Sequence, residues 1–205
     1  MLGGIVHVGI IARELTPAER VKEVVQIPFG QTAFVILTSN RLARNLARAE
    51  IGNIVSGTMT KWADGSQIRI ILRSSSDTDT ALFKQYFPEF AKAFDATRQR
   101  RELPVAATDQ DNTDLAETMH GSFTFGTYAQ IVGERRKLSI LSIDGVEPKP
   151  ATVASKQYPY SKTFYLITKP DPSPVARAFV NFVDSPAGRS ILEATGWAPA
   201  PKSQQ

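Results

Sequence analysis

IRIIL at residues 68–72, RSSSDTDT at 73–80 and ALFKQYFPEFAKAF at 81–94 form the stretch on which the fold turns. The first piece is apolar at every position but Arg69 and rich in β-branched isoleucine, which makes a short buried strand. The second supplies capping and turn chemistry. The third has a helical period, with Phe83, Tyr86, Phe87, Phe90 and Phe94 recurring every three or four residues, and Pro88 predicts a break or kink in it. A buried strand running straight into a helix is a βα unit, the building block of an α/β fold. At the carboxyl end of such a strand the next helix presents free N–H groups and partial positive charge, the usual ligand position in open α/β sheets. Arg73 can clamp an oxyanion bidentately, and Ser74, Ser75, Ser76 and Thr78 offer hydroxyls. The same residues also make an ordinary cap on a surface helix, and on their own they leave both readings open.

Outward from this stretch, strands and helices alternate. GIVHVGIIAREL (4–15) reads as a short buried strand, and Thr16 caps a helix that has Pro17 at its first position and Glu19 closing a capping box. VVQIPFGQTAFVILTSN (24–40) reads as two short strands around a bend at Pro28-Phe29-Gly30. Residues 41–55 have helical spacing and stop at Gly57, with Lys61-Trp62 in a loop. Thr108–Met119 reads as a helix opened by cap residues. GSFTFGTYAQIV (121–132) is a strand that bends at Gly126 into a short helix. LSILSIDGV (138–146) and YPYSKTFYLITKP (158–170) are strands. Pro174–Ala194 is a final helix capped by Gly196, followed by a frayed tail, APAPKSQQ. The alternation predicts an α/β protein with largely parallel sheets.

Composition narrows the function. Of 205 residues, 42% are hydrophobic and 21% charged, as in ordinary globular proteins. The longest apolar stretch, VVQIPFGQTAFVIL (24–37), is interrupted by Gln26, Pro28, Gly30 and Gln31, so no membrane span is expected. The opening MLGGIVHVGIIAR has neither the basic start nor the cleavage site of a secretory signal. The net charge of +4 comes from scattered residues, apart from clusters at 98–101 and 135–137 that have acids beside them. Those read as solvated helix faces, and nucleic acid is not an expected partner. There is no cysteine, which removes disulfides, thiolate metal sites and thiol nucleophiles. His7 and His120 lie far apart in the chain. Asp109, Asp111 and Asp114, with Asn112, lack the glycine and closing glutamate of a calcium loop and read as helix caps. Ser39 and Ser161 have no lysine three residues on. No catalytic residue, metal or cofactor is therefore expected.

The order of these pieces resembles the substrate-binding proteins of phosphate-type ABC transporters, across nearly the whole chain. RSSSDTDT is similar to that family's strand-ending Arg followed by Ser-Gly-Thr at a helix start. VHVGIIARELTPAE resembles its Asp-Phe-Gly-Ala-Ser-Asp strand and the helix after it. VVQIPFGQTAFVIL looks like the first crossing between lobes, and YPYSKTFYLIT like the return crossing. EIGNIVSGTMTKWADG, GSFTFGTYAQ and FVNFVDSPAGRSILEATGWAPAP match further segments in the same order. The resemblance implies a two-lobed periplasmic-binding-protein-like fold of type II. Residues 1–38 with 155–205 would form lobe one, and 39–154 lobe two. It further implies a periplasmic protein that binds a small polar or anionic solute and passes it to an ABC transporter permease; a ligand-sensing clamshell with no transport role is the alternative. The implied ligand contacts are Arg73, Ser74, Ser75, Ser76, Asp77 and Thr78, with Ala12, Arg13, Gln31, Thr32 and Thr124.

The sequence departs from the family in three places. Ala12 stands where the family has a carboxylate that accepts the proton of hydrogen phosphate. Asp77-Thr78-Asp79 replaces Ser-Gly-Thr, and each like-charge contact with a bound anion at ~4 Å costs roughly 4 kcal/mol per unit charge pair. The family's opening β-α-β piece has no counterpart here. Lobe one is therefore expected to be incomplete, with an unpaired sheet edge and exposed core, which favours association of copies as a homo-oligomer.

Overall fold

The computed structural model describes residues 6–20 and 23–200. The first residues of the expected opening strand, Gly4 and Ile5, and the end of the tail, Pro201–Gln205, lie outside the described residues.

In chain order the elements are β1 (Gly9–Ile11), α1 (Pro17–Arg20), β2 (Val25–Thr38), β3 (Asn45–Leu46), α2 (Arg48–Ser56), β4 (Arg69–Ile70) and β5 (Leu72–Arg73). They continue with α3 (Thr78–Tyr86), α4 (Ala91–Thr97), β6 (Val105–Ala106), α5 (Asp109–Thr118), β7 (Ser122–Thr127), α6 (Tyr128–Gly133) and β8 (Ser139–Ile143). The last four are α7 (Pro150–Ala154), β9 (Ser161–Thr168), α8 (Pro174–Asp184) and α9 (Pro186–Ala194). The fold is mixed α/β, in keeping with the expected class.

Strand β2 is the axis of the molecule. Its first part, Val25–Ala33, pairs antiparallel with β9, and its last part, Phe34–Thr38, lies between β7 and β8. The main sheet runs β1-β9-β2-β7-β4, with β8 and β3 joined beside β2, and β5-β6 form a separate pair. Largely parallel sheets were the expectation, and the pairing corrects it. The long ladders are antiparallel, and only the two-residue pairs β3-β8, β4-β7 and β5-β6 are parallel. Alternating elements do not force parallel pairing when one long strand returns beside another, as β9 does beside β2. The two strands expected around Pro28-Gly30 are also one strand. Proline there has no N–H to give, and the ladder absorbs it as a register shift between Pro28 and Gly30.

Other boundaries move for local reasons. The helix expected from residue 41 begins at Arg48, because Asn45–Leu46 is drawn into a parallel pair with β8. The break at Pro88 is present: α3 stops at Tyr86, and one 3-10 turn, Pro88–Phe90, leads into α4. The single final helix is two. Ser185 is extended (ψ 161°) before Pro186 and caps α9 through Gly188 N. The corner is tight, because a Cβ on Gly188 would lie 2.2 Å from the Phe182 carbonyl oxygen. The bend expected at Gly126 falls instead at Thr127, the N-cap of α6. Nor is Ala198 frayed. It exchanges backbone hydrogen bonds with Gln31, beside Trp197 packed on Phe29 and Phe164.

The core is lopsided. Phe34, Ile36, Leu37, Ile51, Ile54, Phe83, Phe87, Phe94, Phe123 and Phe125 are buried in one cluster around the last part of β2. Each large apolar side chain so buried contributes about 1.5–3 kcal/mol. The opposite end is thin. In α8 only Ala176 is buried, while Val175, Phe179 and Phe182, one stripe at i, i+4, i+7, are exposed together with Ile191 of α9 and Ile10 of β1. Among the described residues β1 pairs on one side only, with β9. An open edge and exposed apolar side chains were expected in this part of the chain.

Candidate solute-binding cleft

Three pieces of chain meet at a cavity of about 470 Å³: Ala12-Arg13-Glu14 after β1, Ser75–Thr78 with the first turns of α3, and Ser161-Lys162-Thr163 with Tyr165 of β9. Of the contacts implied by the sequence, Ser75, Ser76, Asp77, Thr78, Ala12 and Arg13 line it. Arg73 and Ser74 stand behind it. Gln31, Thr32 and Thr124 are placed elsewhere, with their side chains committed to the protein. The Gln31 amide donates to the Pro199 carbonyl, the Thr32 hydroxyl accepts from Ala129 N–H, and the Thr124 hydroxyl donates to Ile71 O and Asn112 Oδ1.

The strand-to-helix junction has the expected local form. β5 ends at Arg73, and Asp77 is the N-cap of α3, its carboxylate accepting from Asp79 N–H at 2.8 Å. The loop holds itself: Ser74 and Ser76 hydroxyls are 3.1 Å apart, and Thr80 donates to the Ser74 carbonyl. Arg73 is buried, with one terminal nitrogen 2.5 Å from Asp77 and 2.6 Å from Asp109. Its other terminal nitrogen donates to the Thr108 carbonyl, and its Nε has no partner among the described residues. Of the three aspartates expected as caps, Asp111 forms a capping box with the Thr108 hydroxyl at the start of α5, whereas Asp109 bonds Arg73 and Asp114 bonds Arg136.

Sequence reasoning missed the floor of the cavity. Lys162 and Asp79 are both buried and bonded at 2.6 Å. Burial pushes the Asp79 carboxyl up, while the Lys162 ammonium pulls it back and the Asp77 and Asp109 carboxylates add to the rise. A lysine at an inward position of SKTFYLIT was the available signal. At the rim, Arg13 grips Glu19 with both terminal nitrogens, at 2.7 and 2.9 Å. That hydrogen bonding, aided by Thr16, holds the Glu19 carboxyl well below the usual range. Glu14 pairs with Arg20, and Tyr86 hydrogen-bonds the backbone of Ser161, tying α3 to β9.

Residues 1–187 match the PBP superfamily domain. The chain belongs to the PBP superfamily. A curated relative, the phosphate-binding protein PstS of Bacillus subtilis (strain 168), is 22% identical over 161 residues, covering 76% of this chain. The match takes in 51% of PstS, so the chain spans about half the length of that relative. Among solved structures, a putative phosphate ABC transporter substrate-binding protein with bound phosphate from Clostridium perfringens superposes with a TM-score of 0.79 at 17% identity. That match covers 98% of this chain and 82% of the other. A phosphate-binding protein from Stenotrophomonas maltophilia gives 0.73 at 13% identity, over 98% and 78%. These likenesses establish a periplasmic-binding-protein-like fold. No helix among the described residues is long and apolar enough to cross a membrane.

Proposed function

We propose that this chain is the solute-binding component of an ABC-type uptake system, a periplasmic protein without catalytic activity. It holds a small polar or anionic solute, with phosphate-like oxyanions as the leading class, and presents it to a membrane permease. Residues 1–38 with 155–205 and residues 39–154 form the two lobes, and the solute sits where they meet.

One observation carries the reading. The cavity joins Ala12–Glu14 and β9, which the proposal assigns to one lobe, to the amino end of α3, which it assigns to the other, with Arg73 directly behind Asp77. A ligand there touches both lobes at once, which is what couples binding to closure in a clamshell. Ser75, Ser76 and Thr78 supply hydroxyls, the α3 N-terminus its dipole, and Arg13 and Lys162 N–H donors whose charges are balanced by Glu19 and Asp79. The superfamily assignment and the names of the relatives point the same way.

Isothermal calorimetry with phosphate, sulfate, sugars and amino acids tests the proposal. Saturable one-to-one binding of an oxyanion is expected. Binding of a sugar or amino acid in place of both oxyanions would overturn the anion part and keep the cleft. Silence toward the whole panel would remove the solute-binding role.

A further inference from the structure

The donor set that a helix N-terminus and an arginine offer to an oxyanion is already filled from within the chain. One oxygen of Asp77 takes an Arg73 N–H at 2.5 Å, and the other takes the Asp79 backbone N–H in the first turn of α3, at 2.8 Å. A bound oxyanion at this point would use those two donors. Asp109 adds a second carboxylate to Arg73 at 2.6 Å. The other cations of the cavity are also paired, Arg13 with Glu19 and Lys162 with Asp79. Capacity remains at the arginine, because its buried Nε lacks a hydrogen-bond partner among the described residues.

We propose that Asp77 is an internal occupant of the anion position and the residue that sets the selectivity of the cleft. An incoming oxyanion binds only by displacing this carboxylate from Arg73 and from the α3 N-terminus. The proposal rests on the reading of the cavity as a solute site. Its consequence is a site that holds oxyanions less tightly than its donors alone would, since the ligand must compete with a tethered carboxylate at high effective concentration and then sit beside it.

The substitution Asp77→Asn separates charge from shape. Asparagine caps helices as well as aspartate does, so α3 keeps its start, while the competing negative charge is lost. Calorimetry of the native protein and D77N with phosphate and with sulfate is the test, and thermal melts establish that each variant is folded. D77N is expected to bind both oxyanions at least tenfold more tightly, and adding Arg73→Lys to D77N is expected to abolish that gain. D77S, which also keeps a cap, is expected to behave as D77N does and stands in for it should D77N not fold. Equal affinities in native and variant protein would overturn the proposal and leave the cleft intact. Weaker phosphate binding with sulfate unchanged would also overturn it, making Asp77 the acceptor of a phosphate proton. Binding of neither oxyanion by native protein or variants would overturn the proposal and the anion reading of the cavity together.

Discussion

Taking one member away from the Lys162–Asp79 pair leaves a buried charge without its counter-charge, which costs about 3–5 kcal/mol in comparable sites. Lys162→Met is expected to fall in that range, and its pH dependence identifies the cause. With the ammonium gone, burial and the Asp77 and Asp109 carboxylates act on Asp79 unopposed and raise its carboxyl further. Between the ordinary carboxylate range and that raised value, the native state holds a proton that the unfolded state has released. Stability therefore falls as pH rises through this window. Urea denaturation at about pH 5 and about pH 8 is the measurement, with the larger deficit of K162M expected at the higher pH. A deficit equal at both would mean that Asp79 is not the group left without its counter-charge. Sequence showed one side of this site only. RSSSDTDT announces a strand end and a cap by composition, so Ser75–Thr78 could be placed at once. Lys162 sits in a strand whose neighbour is set by long-range pairing, and nothing local says that its ammonium meets Asp79. Thr32 and Thr124 misled for the same reason, because a threonine in a strand looks alike whether it faces ligand or caps a neighbouring backbone group.

At the level of elements, the α8–α9 corner separates what composition reveals from what packing decides. Ser-Pro-x-Gly is visible in the sequence, yet Pro174–Ala194 reads there as one helix closed by Gly196. Two chain-specific constraints divide it: Ser185 is extended before a proline, and Gly188 fits only because it has no Cβ. Gly188→Ala is expected to destabilise by about 1–3 kcal/mol through the clash with the Phe182 and Val183 carbonyls. Pro186→Ala, which removes no contact of that kind, is expected to cost no more than about 1 kcal/mol. Thermal denaturation of the two variants side by side checks the ranking. Sheet direction was the other element-level miss. Period and β-branching mark a strand, but whether it pairs parallel or antiparallel depends on which segment arrives beside it, and β9 meets β2 more than 120 residues later.

Across the whole molecule, the order of strands and helices was legible almost from end to end, because each is bounded by its own caps, glycines and prolines. The thin cover over β1 was expected too, though from the resemblance, whose opening β-α-β piece has no counterpart in the sequence, and not from the composition of the chain. The exposed stripe of α8 follows from it. Replacing Phe179 and Phe182 together by serine is expected to lower stability by about 1.5–3 kcal/mol, since both side chains are already about half exposed and together give up the burial of one. It is also expected to lower the fluorescence of a hydrophobic dye bound to the native protein. Unchanged dye binding would locate the accessible apolar surface elsewhere. A lopsided core also has a meaning in time. Backbone amides in the last part of β2, enclosed by β7, β8 and the phenylalanine cluster, open only when most of the molecule does, whereas those of β1, α8 and α9 need much less to come apart. Native-state hydrogen exchange should therefore show two clocks within one chain. Because β2 runs through both regions, the slow one would have to lie at one end of a strand whose other end keeps the fast one.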